Sequence, residues 1–158
     1  MGQRVEPSPH GYSPSKLDIT DNGDAEQFPA RQSLYERVGG EPWFVDLIDR
    51  FYDLVDKDPV LRPIYPDDLA GPKGRLTDFL VQRWGGPPRY TATRGHPRLR
   101  MRHFQFPIGI RERDAWLRDM AAALQDGGLD QRDLQEMLHF FASTATMVVN
   151  RRDAEPAG

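Results

Sequence analysis

The chain has 158 residues, a formal net charge of −3 and no cysteine. That length supports one hydrophobic core rather than two comfortable domains. The mild acidity gives no global reason to expect nucleic acid or an anionic membrane as partner. The absence of thiols excludes disulfides, a cysteine nucleophile and a thiolate metal site. A metal must then be held by histidine, by carboxylates or within a cofactor.

Residues 1–31 are polar, rich in Pro, Ser, Asp and Gly, and lack an apolar period, so they read as a disordered or loosely packed arm. They contain no apolar stretch that could serve as a secretion signal. Gly2 does not open a myristoylation site, because Glu6 stands where Ser or Thr is required. No apolar run approaches the roughly 18 residues of a membrane span. The expected location is the cytoplasm.

The ordered domain is expected over residues 32–151. Ser33, with Glu36 three residues on, is a capping-box pattern for a short first helix that stops at Gly39-Gly40. Pro42 suits the first turn of the next helix. There Phe44, Leu47, Ile48, Phe51, Tyr52 and Val55 form one continuous apolar face. A connector follows, DKDPVLRPIYPDDLAGP, whose prolines exclude a long helix. The next helix is expected from about Lys73 to Trp84, with Leu76, Phe79, Leu80 and Trp84 on one face, ending at Gly85-Gly86-Pro87-Pro88.

From Arg89 to Phe106 the pattern is irregular and basic, with one short candidate helix around Leu99 to Phe104. ERDAWLRDMAAALQD then reads as a helix with Trp116, Met120, Ala123 and Leu124 inward, ended by Gly127-Gly128. Asp130 caps a last helix carrying Leu134, Met137, Leu138, Phe141, Ala145 and Val148 at helical spacing. Residues 152–158 read as a frayed tail. No strand alternation or internal repeat is present, so the fold class is all-α.

Among the four histidines, His10 lies in the polar arm and His139 reads as an ordinary helix residue. No HExxH pair, nucleophile elbow or phosphate-binding glycine loop occurs. His103 stands apart. It follows Arg98, Leu99, Arg100, Met101 and Arg102, and precedes Phe104, Phe106, Pro107 and Ile108. Cations on one side and apolar groups on the other suit a cofactor that is both greasy and anionic. Haem is such a cofactor, since its iron takes a neutral imidazole and its propionates seek cations. An ordinary packed histidine is the competing reading.

Tyr52, Tyr65 and Trp116 each carry a donor that must find a partner if buried; core packing is the plain alternative. The arginine cluster at 89, 94, 98, 100 and 102, with His96 within it, also admits a nucleic-acid reading, which the overall acidity disfavours.

Several segments resemble the group II truncated haemoglobins: the glycine pairs at 39–40 and 85–86, RFY at 50–52, LRPIYP at 61–66, WGGP at 84–87, RGHPRLRMRH at 94–103 and ERDAWL at 112–117. The resemblance covers roughly residues 32–151. It implies a shortened globin, a two-over-two helical sandwich around haem b. It implies His103 as the proximal iron ligand, and Tyr52, Tyr65 and Trp116 as the distal groups that stabilise a bound ligand. Leu76, Phe79 and Leu80 would supply the apolar wall, with Phe106 and Ile108 beside the cofactor. Arg75 and Arg102 would approach the propionates, helped by Tyr90 and His96.

The function so implied is binding of dioxygen and other small diatomic ligands with slow release. A haem enzyme oxidising nitric oxide, or reacting with peroxide, is the alternative, and it would need a separate reductase. A haem-free helical interaction module is the third reading. A homodimer is left open. The polar arm is longer than the family needs.

Overall fold

The computed structural model describes residues 32–152. The arm expected at 1–31 and tail positions 153–158 lie outside the described residues. Among the described residues there are seven α-helices, one 3-10 turn and no strand: α1 (Leu34–Arg37), α2 (Glu41–Lys57), the 3-10 turn (Arg62–Ile64), α3 (Ala70–Arg83), α4 (Arg89–Arg94), α5 (Leu99–His103), α6 (Ile110–Gln125) and α7 (Gln131–Met147).

Ser33 caps α1, its Oγ accepting the Glu36 N–H at 3.2 Å. The Tyr35 N–H donates to the Trp84 carbonyl at 3.0 Å, tying α1 to the end of α3. The glycine pair at 85–86 permits this approach. A Cβ on Gly85 would lie 2.5 Å from Ser33 Cβ, and one on Gly86 2.7 Å from the Tyr35 ring. Gly85 also has φ +103, which side chains rarely tolerate.

In α2 the six predicted apolar positions are all buried. The helix stops at Asp58, which adopts extended backbone before Pro59, because the proline ring disfavours helical geometry in the residue preceding it. Asp58 then organises the connector, its Oδ1 accepting the N–H of Val60 at 2.9 Å and of Leu61 at 3.4 Å. Further on, the Arg62 guanidinium donates to the carbonyls of Tyr65, Pro66 and Asp67. One long side chain thus satisfies three carbonyls that no helix takes up.

Two differences from the sequence reading bear on the site. Helix α3 begins at Ala70 rather than near Lys73. The Asp68 carboxylate accepts the Ala70 N–H at 2.9 Å, and Pro72 falls in the first turn, where a missing N–H leaves nothing unsatisfied. The second difference is α4, a helix within a stretch expected to be irregular. Its support is tertiary: the Gln82 side chain donates to Thr91 Oγ1 at 2.7 Å and accepts the Thr91 N–H at 2.9 Å. A six-residue helix held this way leaves no apolar period to read.

Helix α2 packs on both α3 and α6, and α6 packs on α7. The core between these pairs holds Phe44, Leu47, Ile48, Phe51, Leu80, Met120, Leu124 and Met137, all fully buried. Each such side chain contributes about 1.5–3 kcal/mol on removal from water. Arg50 Nε donates to the Ala123 carbonyl in the last turn of α6, and Trp43 Nε1 to the Gly127 carbonyl just beyond it. Among the described residues no helix is long and apolar enough to cross a membrane.

Candidate functional site

A cavity of about 830 Å³ opens among α2, the connector, α3, α4, α5, α6 and α7. Of the residues singled out in the sequence, Tyr52, Tyr65, Arg75, Leu76, Phe79, Tyr90, Arg102, His103, Phe106, Ile108 and Trp116 all line it. Two do not. Leu80 is fully buried in the core between helices. His96 lies exposed beside a separate shallow groove, where its Nδ1 accepts the Arg98 N–H at 3.1 Å.

His103 ends α5, a short helix that starts after Arg98, whose φ of 42 turns the chain sharply. Its Nδ1 lies 2.6 Å from the Leu99 carbonyl. A carbonyl only accepts, so Nδ1 carries a hydrogen and Nε2 is the ring nitrogen left open. Among the described residues that line the cavity, His103 is the one imidazole.

The segment after His103 is held by a residue the sequence reading passed over. Asn150 Nδ2 donates to the His103 carbonyl at 3.1 Å and to the Phe106 carbonyl at 2.9 Å. Its Oδ1 accepts the Ile108 N–H at 3.1 Å. No local pattern marks this asparagine, because its partners lie more than 40 positions earlier.

Tyr52, Tyr65 and Trp116 form a second group. The Tyr52 and Tyr65 rings meet edge to face at 5.6 Å, while Phe51 packs on Trp116 at 5.1 Å. The Trp116 N–H and the Tyr52 hydroxyl both lie close enough to the Tyr65 hydroxyl to favour its ionised form. Burial pushes the Tyr65 hydroxyl up to about 12, against the opposing pull of those two donors. Burial raises the Tyr52 hydroxyl further still. Both phenols therefore stay protonated, as neutral donors, throughout the physiological range.

The cationic side of the cavity comes from Arg75, Arg102 and Arg113. Arg102 lies 5.7 Å from the Tyr90 ring centre and donates to the Arg94 carbonyl at 2.7 Å. The sequence reading did not single out Ile64, Thr144, Ala145 or Val148 as wall, although they line the cavity. It named Met101 and Phe104 only as neighbours of His103. Both line the cavity while remaining 62% and 73% exposed.

The sequence matches the family described as "Bacterial-like globin" over residues 33–150. It is 40% identical over 121 residues to "Group 2 truncated hemoglobin YjbI" of Bacillus subtilis (strain 168), covering 77% of this chain and 91% of that protein. The chain belongs to the group II truncated haemoglobins.

Solved members superpose closely. The thermostable haemoglobin of the actinobacterium Thermobifida fusca is 48% identical, with a TM-score of 0.73, covering 75% of this chain and 98% of that one. The group II truncated haemoglobin of Bacillus anthracis is 38% identical, with a TM-score of 0.75, covering 78% and 95%. Being a truncated haemoglobin, the protein has haem b as its cofactor and binds dioxygen and related small ligands through it.

The residues present fit that group. The cavity is of cofactor size. Its lining is mainly aromatic and aliphatic, suiting a flat apolar ring, with one imidazole for the iron and arginines for the propionates. No cluster of three or more His, Cys, Asp or Glu that could bind a metal ion directly occurs among the described residues.

Proposed function

We propose that His103 is the axial ligand, and that Tyr52, Tyr65 and Trp116 retain a small polar ligand in the same cavity, giving slow release. The observation that carries this reading is the commitment of His103 Nδ1 to the Leu99 carbonyl at 2.6 Å. That bond fixes the ring orientation and leaves Nε2 as the nitrogen available to a metal. The two phenols compete poorly for the metal, since burial keeps both protonated.

Haem, when bound, supplies an iron that coordinates a diatomic molecule. This chain's residues then decide how long the ligand stays. Tyr65 is the pivotal donor, because the Tyr52 hydroxyl and the Trp116 N–H both act on its hydroxyl and it lines the cavity itself. A hydrogen bond to a species carrying negative charge is worth about 1.5–3 kcal/mol, and each 1.4 kcal/mol is about tenfold in dissociation. Such retention suits sensing or chemistry more than bulk delivery. Arg75 and Arg102 would take the propionates, since both line the cavity.

The test is the absorption spectrum of the full chain loaded with haem, wild type beside His103→Gly, without and with imidazole. The expected result is a Soret band that weakens in the variant and returns with imidazole. An unchanged band in the variant would move the iron ligand to another residue.

A further inference from the structure

A pair of buried acids sits next to the Tyr65–Trp116 contact and has no role in the account above. Asp58 and Asp119 are only 6% and 8% exposed. Asp58 closes α2 and holds the first two N–H groups of the connector that carries Tyr65. Asp119 lies on α6, one turn after Trp116. A single guanidinium serves both carboxyl groups and brings them together: Arg118 lies 3.1 Å from Asp58 Oδ2 and 3.8 Å from Asp119 Oδ1. That guanidinium is 67% exposed and its charge is well screened.

Two buried carboxylates with one screened cation between them do not both ionise readily. The unoccupied valence is visible: Asp119 Oδ2 is buried without a hydrogen-bond partner among the described residues. As a bare carboxylate oxygen it would be orphaned, whereas a protonated Asp119 gains a donor for the neighbouring Asp58 carboxylate. Asp58 is the better placed to keep the negative charge, since it also accepts from Val60, Leu61 and Arg118. The groups that act electrostatically on Asp119 are Asp58 from the end of α2 and Arg118 from its own helix. The Tyr65 hydroxyl, on the connector, feels Asp119 in turn. No charged group of α7, which also packs on α6, is among those acting on Asp119.

The geometry points to Asp58 and Asp119 as a positioning pair that clamps the Tyr65 connector to the helix bearing Trp116 through one shared proton, so that losing the proton weakens ligand retention. This rests on the proposal that Tyr65 and Trp116 retain the ligand. Removing the proton has two effects of the same sign. It replaces a hydrogen bond between connector and α6 by repulsion between two carboxylates. It also sets a negative charge towards the Tyr65 hydroxyl, which then gives up its hydrogen to a ligand less readily. Burial, followed by the Asp58 contact, pushes the Asp119 carboxyl up to about 7, which places the change near neutrality.

The experiment uses the full chain with haem and follows dioxygen dissociation from about pH 5 to about pH 9, with carbon monoxide as trap. Carboxyl-carbon NMR of the aspartates is recorded over the same range. The expected result is one aspartate titrating near neutrality, and an off-rate that rises roughly threefold or more with the same midpoint. Asp119→Asn keeps the donor permanently and holds the rate at the acid limit, and Asp58→Asn removes the neutral midpoint.

A wild type in which no aspartate titrates near neutrality overturns the proposal, and that measurement stands even if a variant fails to fold. A pH step that survives in Asp119→Asn overturns it as well. Tyr65→Phe separates the two levels. A flat wild-type profile with a faster Tyr65→Phe variant sinks the clamp alone, whereas an unchanged Tyr65→Phe rate at every pH sinks the clamp together with the retention mechanism beneath it.

Discussion

Asn150, just beyond the last helix, donates to the backbone carbonyl of His103 at 3.1 Å. The same side chain also holds Phe106 and Ile108, so one amide fixes the chain leaving the imidazole. Asn150→Ala removes three hydrogen bonds and leaves backbone groups to find water. The expected cost is about 1–3 kcal/mol of stability. Transfer of haem to an excess of a scavenging apoprotein should be faster than from wild type. An equal transfer rate would mean that packing alone positions the segment.

Trp116→Phe keeps the ring contacts with Phe51 and Phe141 at similar size but removes the N–H that acts on the Tyr65 hydroxyl. Dioxygen dissociation should accelerate by about tenfold, the equivalent of one lost hydrogen bond. Tyr65→Phe should exceed it, because it deletes the group on which the other two donors converge. The reverse ranking, measured by stopped flow, would assign direct ligand contact to Trp116.

Gly86→Ala tests the close approach of α1 to α3. The added methyl would lie 2.6 Å from a Val81 methyl and 2.7 Å from the Tyr35 ring. Overpacking of this kind costs about 1–3 kcal/mol. Chemical denaturation should show a lower midpoint with an unchanged slope. A midpoint equal to that of wild type would show that the Tyr35 ring yields without cost.

The acid pair also predicts how stability changes with pH. In the fold the Asp119 carboxyl sits at about 7, pushed up by burial and by Asp58, against an ordinary 3.8. Between those values the folded chain holds a proton that the unfolded chain releases, so this group's contribution is complete below 3.8 and fades as pH rises through 7. Asp58 has the opposite sign: its carboxyl is held low, chiefly by the hydrogen bond from Asp119, and its contribution disappears only in acid. Urea midpoints of wild type should therefore fall from mildly acidic to mildly alkaline solution, and Asp119→Asn should flatten that fall. Parallel profiles for the two proteins would contradict it.

Much of the site is legible in the sequence, for physical reasons. The apolar face of α2 is a period the backbone imposes, so Tyr52 could be placed on it from spacing alone. The glycine pairs and prolines mark real turns. Residues whose place depends on distant partners were not legible. Asn150 and the Asp58–Asp119 pair act across more than 40 positions, and α4 depends on Gln82 rather than on its own composition. Leu80 shows the limit of periodicity in the other direction. It lies on the predicted face of α3, but that face is shared between core and cavity, and Leu80 goes to the core.

The cavity wall begins with Tyr52 on α2 and finishes with Val148 just past α7. A chain made from its N-terminus therefore exposes the two tyrosines and the imidazole long before the residues that enclose them exist. The last piece to arrive includes Asn150, the amide that steadies the imidazole segment. Haem captured by a partly synthesised chain would meet a half-built wall, so productive uptake belongs after synthesis of the helical domain is complete.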